Sequence, residues 1–566
     1  MPSPIQTIRC LWQQTSRVIH RRWHWLSLVL LLLAGCRAGL APASPSPSPA
    51  AVLTAAATAG LITQPLPTQA APTQPAPAGF SVQIDTQRAV HAISPMIYGL
   101  SSASGETYTA LQPGLVSWGG NPSTRYNWQI GHAWNAGQDY YYQNTNYGYQ
   151  GNSASDDFIA AATAHNAAVR LAVPTLGWVA KDDNTHTCSF PLPGGGCGDG
   201  GGSSCNHPNQ LADPNRANVP SDVNSIVAWM HHLFDQNAQA VRFIAMDNEP
   251  ELWGLKHYDV HPACTTYQEI LDKYLTYASA IRAVAPKAEL VGPVTCCWYF
   301  YWNSAAGEAD KLKHGNADFL PWFLDQVRQH DQASGVRTLD VLDLHYYPDG
   351  LYNDQVDPAT AAHRLRSTRS LWDPTYTDES WIATPVELIP RMKQLIDQWY
   401  PGTRLGLSEW NWGAEGNING ALAVADVLGI LGREQVYYAA YWQQPPADSP
   451  SFSAFRLYTN YDNQGNHFGD QSVWAHSDDV DTVGSYAALD SRTGKLYVML
   501  VHKEPQADLT VQLHLAGFTA KPAVQQYQLA QASGSAIVAS SLELDPRQPA
   551  VRLPPYSATL LVLSPQ

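Results

Sequence analysis

Apolar positions change their spacing twice along the chain. From about Phe80 to residue 445, short apolar runs alternate with stretches in which apolar residues recur every three or four positions. The runs Met96–Leu100, Val116–Gly120, Arg170–Thr175, Arg242–Asp247, Glu289–Val294, Val341–Tyr346, Arg404–Glu409 and Val436–Trp442 predict eight strands. Helices are predicted between most of them. Ser221 is placed to cap one whose apolar face is Val223, Ile226, Val227, Met230 and Phe234. Thr266 and Glu269 form a capping box ahead of Ile270, Leu271, Tyr274 and Ile281. Further helices fit 316–330, 386–399 and 418–432.

This alternation predicts a (β/α)8 TIM barrel. Connections from a helix into the next strand are short, as at Ala283–Ala288, whereas those leaving strands are long: 121–152, 177–220, 295–315 and 347–384. Long loops would then gather at the C-terminal ends of the strands, where barrel enzymes build their sites. A doubly wound sheet competes, but no glycine-rich phosphate turn follows the first strand. After residue 445 the helical period is expected to vanish, and Val473–Val480, Ser485–Leu489, Leu496–Val501, Leu509–Leu515, Gln525–Leu529, Ala536–Leu542 and Ser557–Leu563 read as the short strands of a β-sandwich. Gly79–Val90 also reads as a strand, able to join that sandwich. The expected division is 1–35 signal peptide of lipoprotein type, 36–79 linker, 80–95 N-terminal strand, 96–445 barrel and 446–566 sandwich.

The leader holds Arg9, Arg17, Arg21 and Arg22 without an acidic residue, then an apolar run from Leu26 to Leu33. That is the layout of a secretory signal, and the run is short for a bilayer span. Leu33-Ala34-Gly35-Cys36 resembles a bacterial lipobox, which makes Cys36 the expected lipidation site. The Ala/Pro/Ser/Thr-rich stretch that follows lacks the apolar content to fold and reads as a tether. The expected location is therefore outside the cytoplasm, with membrane contact through the lipid anchor alone.

Composition narrows the function. Lys+Arg is 33 against Asp+Glu 48, a net charge of −15, which argues against nucleic acid as a partner. Nineteen Trp and 28 Tyr suit stacking on sugar rings as well as core filling. Of the 8 Cys, six lie in the body: Cys188, Cys197, Cys205, Cys264, Cys296 and Cys297. Their number and the export signal point to disulfides among them, with the adjacent pair Cys296-Cys297 able to bridge internally or to two partners. His257, His261 and Cys264, with Cys205 and His207, offer a zinc reading, but their spacing matches no zinc pattern.

Two predicted strand ends carry a glutamate: Asp247-Asn248-Glu249-Pro250 on the fourth and Ser408-Glu409-Trp410-Asn411 on the seventh. In an eight-strand ring both project into one cleft, the arrangement of two-carboxylate glycoside hydrolysis. Beyond these, Trp118-Gly119-Gly120-Asn121, Thr124-Arg125-Tyr126-Asn127-Trp128, His257-Tyr258-Asp259-Val260-His261-Pro262, Asp343-Leu344-His345-Tyr346-Tyr347-Pro348, Asp378-Glu379-Ser380-Trp381-Ile382 and Ala425-Asp426-Val427-Leu428-Gly429 stand in order along residues 80–510. On these segments the chain closely resembles glycoside hydrolase family 44.

The resemblance implies a monomeric barrel-plus-sandwich enzyme that cuts β-1,4-glucan, of cellulose or xyloglucan type, inside the chain and with retention. Glu249 would be the acid/base and Glu409 the nucleophile; a carboxylate in the latter role must be ionised, so its neighbours are expected to hold its pKa below that of Glu249. Asn248, His345, Tyr346, Trp442, Asn121 and Trp128 would bind substrate. The family needs no cofactor for catalysis and can carry a structural calcium. Ser117, Trp410 and Cys296-Cys297-Trp298 depart from the family's usual residues, which leaves xylan, mannan and lichenan as alternative substrates. A non-catalytic glycan-binding protein is the rival reading, against which the presence of both glutamates argues.

Overall fold

The computed structural model describes Gly79–Gln566 except Ala238 and Pro546. The leader, Cys36 and the linker up to residue 78 lie outside the described residues. Eight parallel strands close a barrel in chain order: Gly99–Leu100, Leu115–Trp118, Ala168–Val173, Phe243–Met246, Glu289–Thr295, Val341–Tyr346, Arg404–Trp410 and Tyr438–Tyr441. The eighth returns to the first through Ala440 opposite Gly99 and Tyr441 opposite Leu100. Both faces of these strands are buried, which is why they read as continuous apolar runs instead of alternating ones.

Inside, Phe243, Val291, Val341 and Tyr438 fill the lower barrel. Gly406 makes room for the Tyr438 ring, since a Cβ there would lie 2.5 Å from it. Outside, a larger apolar core joins strands to helices. The helix over Val223–Gln236 is capped by Asp222, whose carboxylate accepts from Ser225 N at 3.0 Å; Ser221, the expected cap, lies one residue too early. Thr266 caps Tyr267–Val284 as expected, accepting from Glu269 N at 3.2 Å, but Glu269 turns its carboxylate to His261 instead of back to the cap.

Helical structure does not end at 445. Pro450–Thr459 forms one more helix, capped by Ser449 and packed on Ile418–Arg433. Its residues are buried nearly all round, so it carries no clean amphipathic stripe to announce it.

Apart from two short ribbons in the loops, Trp134–Asn135 with Asn144–Thr145 and Trp178–Ala180 with Asn218–Pro220, the remaining strands form one ten-stranded sheet that curls over a second core, in the order Val538–Glu543, Ala520–Ala530, Ser557–Pro565, Leu496–His502, Val483–Leu489, Gln471–Ser477, Phe80–Asp85, Leu509–Ala516 and Ala550–Leu553, with His91–Ala92 pairing off Gln471–Ser477. Val82, Val511 and Val551 from one half meet Val498, Leu561 and Val524 from the other, which makes a β-sandwich. Phe80–Asp85 sits in the middle of it, parallel to Leu509–Ala516 and antiparallel to Gln471–Ser477.

Barrel and sandwich meet along the helix Ile418–Arg433. Its Asp426 carboxylate pairs with Lys503 at 2.8 Å and accepts from Thr368 and Tyr486 hydroxyls at 2.7 Å each, all in a buried setting. Among the described residues no helix is long and apolar enough to cross a membrane.

Breaking a buried ion pair from one side strands the other charge, which costs about 3–5 kcal/mol. Asp426→Ala is therefore expected to lower unfolding free energy by about that amount in urea titrations. Removing the exposed Arg552–Asp508 pair with Arg552→Ala should cost less than about 1 kcal/mol.

Candidate active site

The mouth of the barrel is organised by Asp247, at the end of the fourth strand. Its buried carboxylate accepts from Thr124 Oγ1 at 2.7 Å, Thr175 N at 2.6 Å, Thr175 Oγ1 at 3.0 Å, Leu176 N at 3.1 Å and Asn248 N at 2.9 Å. These bonds tie the turns after strands two, three and four together. They also hold a strained backbone: Asp247 and Glu249 both take left-handed φ, 71° and 46°. Such conformations cost about 1–3 kcal/mol each and persist where surrounding contacts enforce them. Glu249 N donates to Val294 O at 3.1 Å, which clamps the fourth strand end to the fifth. Asn248 Oδ1 accepts from Gly120 N at 2.9 Å. Gly120 has φ 77°, and a Cβ there would lie 2.5 Å from the Trp442 ring, so glycine lets that indole lie against the turn.

The sixth strand supplies the rest through its two-residue period. Asp343, His345 and Tyr347 share the inward face. Asp343 pairs with Arg170 of the third strand at 2.6 Å across the barrel and accepts from Ser408 N at 2.9 Å, forming the floor. Above it His345 Nδ1 lies 2.9 Å from Glu249 Oε1 and 3.3 Å from Glu409 Oε2. Tyr347 donates its hydroxyl to Glu409 Oε2 at 2.9 Å, while Glu409 Oε1 accepts no hydrogen bond. One oxygen from each glutamate and a His345 nitrogen lie within 4.8 Å of one another. The side chains are 15% (Glu249), 9% (Glu409) and 0% (His345) exposed, so the trio is nearly dry.

Dryness sets the charges. Burial pushes the Glu409 carboxyl up to about 7, with His345 pulling against it and Glu249 adding to it. Desolvation thus outweighs the nearby cation, and the Glu409 carboxyl lies above the ordinary carboxylate range. Burial alone would strip the proton from His345, but Glu409 and Glu249 together raise it to about 9, so an imidazolium stands between the two carboxyls. Tyr347 is pushed well above the ordinary phenol range by burial and by Glu409, which keeps it a neutral donor.

The structure brings Glu249, Glu409, Asn248, His345 and Trp442 to one site. Tyr346 is not in it: the period that turns His345 inward turns Tyr346 outward, where its ring lies 5.7 Å from that of Trp412. Trp128 is not in it either. Its ring lies parallel to Trp229 at 6.4 Å and its Nε1 donates to Ser225 O at 3.1 Å, on the outer helix layer. Asn121 points its amide at Asp139, which is paired with Lys256 at 2.6 Å, and so braces the neighbouring loop. Tyr347, Arg170 and Glu251 were not expected. The first two had a signal: Tyr347 shares the parity of His345, and Arg170 is a charge inside an apolar strand.

The loops around the site carry disulfides Cys188–Cys197 and Cys205–Cys264. The second consumes both cysteines of the zinc reading, which therefore fails. Cys296 and Cys297 are free thiols, bridged neither to each other nor elsewhere.

Glu251 lies two residues beyond Glu249. Its Oε1 accepts from Cys296 N at 2.5 Å and its Oε2 is buried without a partner. Burial and the Glu249 charge push this carboxyl up to about 8, against the Cys296 amide. In the unfolded chain the value returns to 4.5. Between those values the folded protein holds a proton that the unfolded chain has released, so Glu251 makes stability fall as pH rises from about 4.5 to about 8. Glu251→Gln is expected to gain on wild type in urea unfolding steadily through that window, with no further change above it. A difference independent of pH would contradict a buried neutral acid.

Comparison with known proteins agrees with this fold. A model of glycoside hydrolase family 44 matches residues 133–350. CelM2, a bifunctional glucanase-xylanase from a metagenome library, is 36% identical with a TM-score of 0.81, covering 86% of this chain and 99% of its own. A Paenibacillus polymyxa xyloglucanase of family 44 is 27% identical with a TM-score of 0.75, covering 86% and 99%. The β-mannanase/endoglucanase A of Caldicellulosiruptor saccharolyticus is 29% identical over 494 residues, 77% of this chain; the match spans only 35% of that longer relative. With its closed barrel, its sandwich and these relatives, the chain belongs to glycoside hydrolase family 44 and is a glycoside hydrolase.

Proposed function

We propose that the protein cuts β-1,4-glucan chains, of cellulose or xyloglucan type, at internal bonds with retention of configuration. The observation that carries this reading is the approach of the Glu249 and Glu409 carboxylates to within 4.8 Å. Retaining enzymes hold the pair about 5–5.5 Å apart, whereas inverting ones need about 6.5–9.5 Å to admit a water.

In this reading Glu409 attacks the anomeric carbon through Oε1, the oxygen that accepts no hydrogen bond, while Tyr347 orients Oε2. Glu249 protonates the leaving oxygen, then takes a proton from the water that opens the glycosyl-enzyme. The His345 imidazolium favours the ionised form of Glu409 and so limits the rise that burial imposes. Asn248 has its Oδ1 committed to Gly120 and so offers its amide N–H to a sugar hydroxyl. Trp442 offers an apolar ring face beside the same turn. Among the relatives, names that print glucanase, xylanase, xyloglucanase and mannanase all fit a β-1,4-linked backbone; the departures at Ser117, Trp410 and Cys296-Cys297-Trp298 bear on the choice among them.

The test is a panel of soluble glucan, xyloglucan, xylan and mannan, read by reducing ends and by proton NMR of the first anomer formed. A β-anomer released from internal cuts is expected; an α-anomer would refute the nucleophile. Glu249→Ala should lose on the order of 10²–10⁴-fold on polymer but far less on activated aryl glycosides, with azide restoring turnover of the latter.

A protonated Glu409 cannot attack, so kcat/KM is expected to fall as pH drops through about 7. His345→Gln removes the cation that opposes burial, and should move this acid limb to higher pH. A limb that stays in place would assign the titration to another group.

A further inference from the structure

At the end of the fifth strand, next to the acid/base, two adjacent thiols stand unused. Cys296 is buried and Cys297 half-buried, and they are the only free cysteines among the described residues. Their thiols interact with each other inside a small apolar cluster with Leu255 and Phe300. The Cys205–Cys264 disulfide borders the same cluster with its sulfurs already spent.

An internal bridge is geometrically poor. Neighbouring Cα atoms across a trans peptide lie about 3.8 Å apart, short of the about 4.4–6.8 Å that disulfides usually span. One-thiol chemistry is slow as well. Burial, helped by its neighbour, pushes the Cys296 thiol well up; burial also raises Cys297, although the Cys296 thiol pulls the other way. Raised thiols are poor nucleophiles toward alkylating agents and peroxide. Two sulfurs side by side suit another class of reagent, a soft electrophile that binds both at once and displaces both protons.

This position is wired to the acid. Glu249 N donates to Val294 O at 3.1 Å, and Cys296 N donates to Glu251 Oε1 at 2.5 Å. The two bonds lace residues 294–296 to residues 249–251 at the point where Glu249 and Val294 both hold left-handed backbone. A group seated on the two sulfurs has to shift the Cys296 peptide, and with it the turn that aims Glu249.

We propose that Cys296 and Cys297 form a dithiol modification site for thiophilic electrophiles of the trivalent arsenical class, and that its occupation turns down hydrolysis by displacing the Glu249 turn. The reaction balances without a redox partner: two S–H bonds break, two As–S bonds form, and the arsenical oxygen leaves as water with both protons. The effect on activity rests on the acid role assigned to Glu249 above, whereas the adduct does not.

The experiment uses phenylarsine oxide on the folded, unreduced protein. Intact mass should show one adduct per chain, and peptide mapping should place it on the segment holding Cys296 and Cys297. Misplacing a catalytic group by about 1 Å can cost about 10²-fold, so hydrolysis should drop by more than about tenfold. Activity should return with dimercaptopropanol but not with excess monothiol. Cys297→Ser should keep its basal rate and lose both adduct and sensitivity. Absence of an adduct, or one mapped elsewhere, would overturn the site. An adduct on this segment with undiminished hydrolysis would overturn the coupling, and an equally sensitive Cys297→Ser would overturn the two-thiol mode. If the protein hydrolyses no glycan at all, the proposed function fails while the adduct still decides the site.

Discussion

Two carboxylates within 4.8 Å of each other in a nearly dry barrel mouth can both be ionised only if a positive charge stands with them, and His345 supplies it. The surrounding architecture follows from that constraint. A buried imidazolium needs partners on both sides, and the register places His345 directly opposite Glu409 on the seventh strand while Glu249 reaches it from the fourth. The floor is neutralised by the Arg170–Asp343 pair, whose charges also reach the trio above: Arg170 favours ionised Glu409 and Asp343 favours charged His345. The strained turn at Asp247 and Glu249 completes the set, since an extended backbone there would not carry the second carboxyl through the same bend.

Much of the fold was legible in the chain because the barrel strands are buried on both faces and their neighbours amphipathic. Each of the eight predicted segments holds a barrel strand, and Val341–Tyr346 matches at both ends, but in the first only Gly99–Leu100 is strand, Met96–Tyr98 lying in the 3-10 turn Pro95–Tyr98 whose first residue is proline. Pro450–Thr459 was illegible for the converse reason: an element buried all round loses the polar face that marks a helix. Ala550–Leu553 was missed as a strand because four residues carry too little period to see.

The site was legible in its charged parts and less so in its aromatic ones. A single glutamate ending a strand is readily a structural ion-pair partner; Glu249 and Glu409 stood out because they are matched on two strand ends and the first sits in Asn248-Glu249-Pro250. Tyr346 and Tyr347 are adjacent and alike, and only the inward parity of Asp343 and His345 separates the ring that meets Glu409 from the one that packs on Trp412. Trp128 illustrates the same limit: a tryptophan near a functional turn is as well suited to capping a helix layer as to lining a cleft. Glu251 had no sequence signal, because what identifies it is a contact with the distant Cys296 amide, which donates to its buried carboxyl.

The strand Phe80–Asp85 carries a consequence for how the molecule is made. It leaves the ribosome before any of the barrel, yet both of its sheet neighbours come after it; Ser81 N meets Asp478 across 397 residues. The sandwich therefore cannot close until the barrel's sequence has been synthesised. Such long-range pairing is slow to form, because loop closure precedes the contacts that reward it. Until then an apolar strand waits unpaired, and partners translated on the far side of the whole barrel sequence decide when it finds its place.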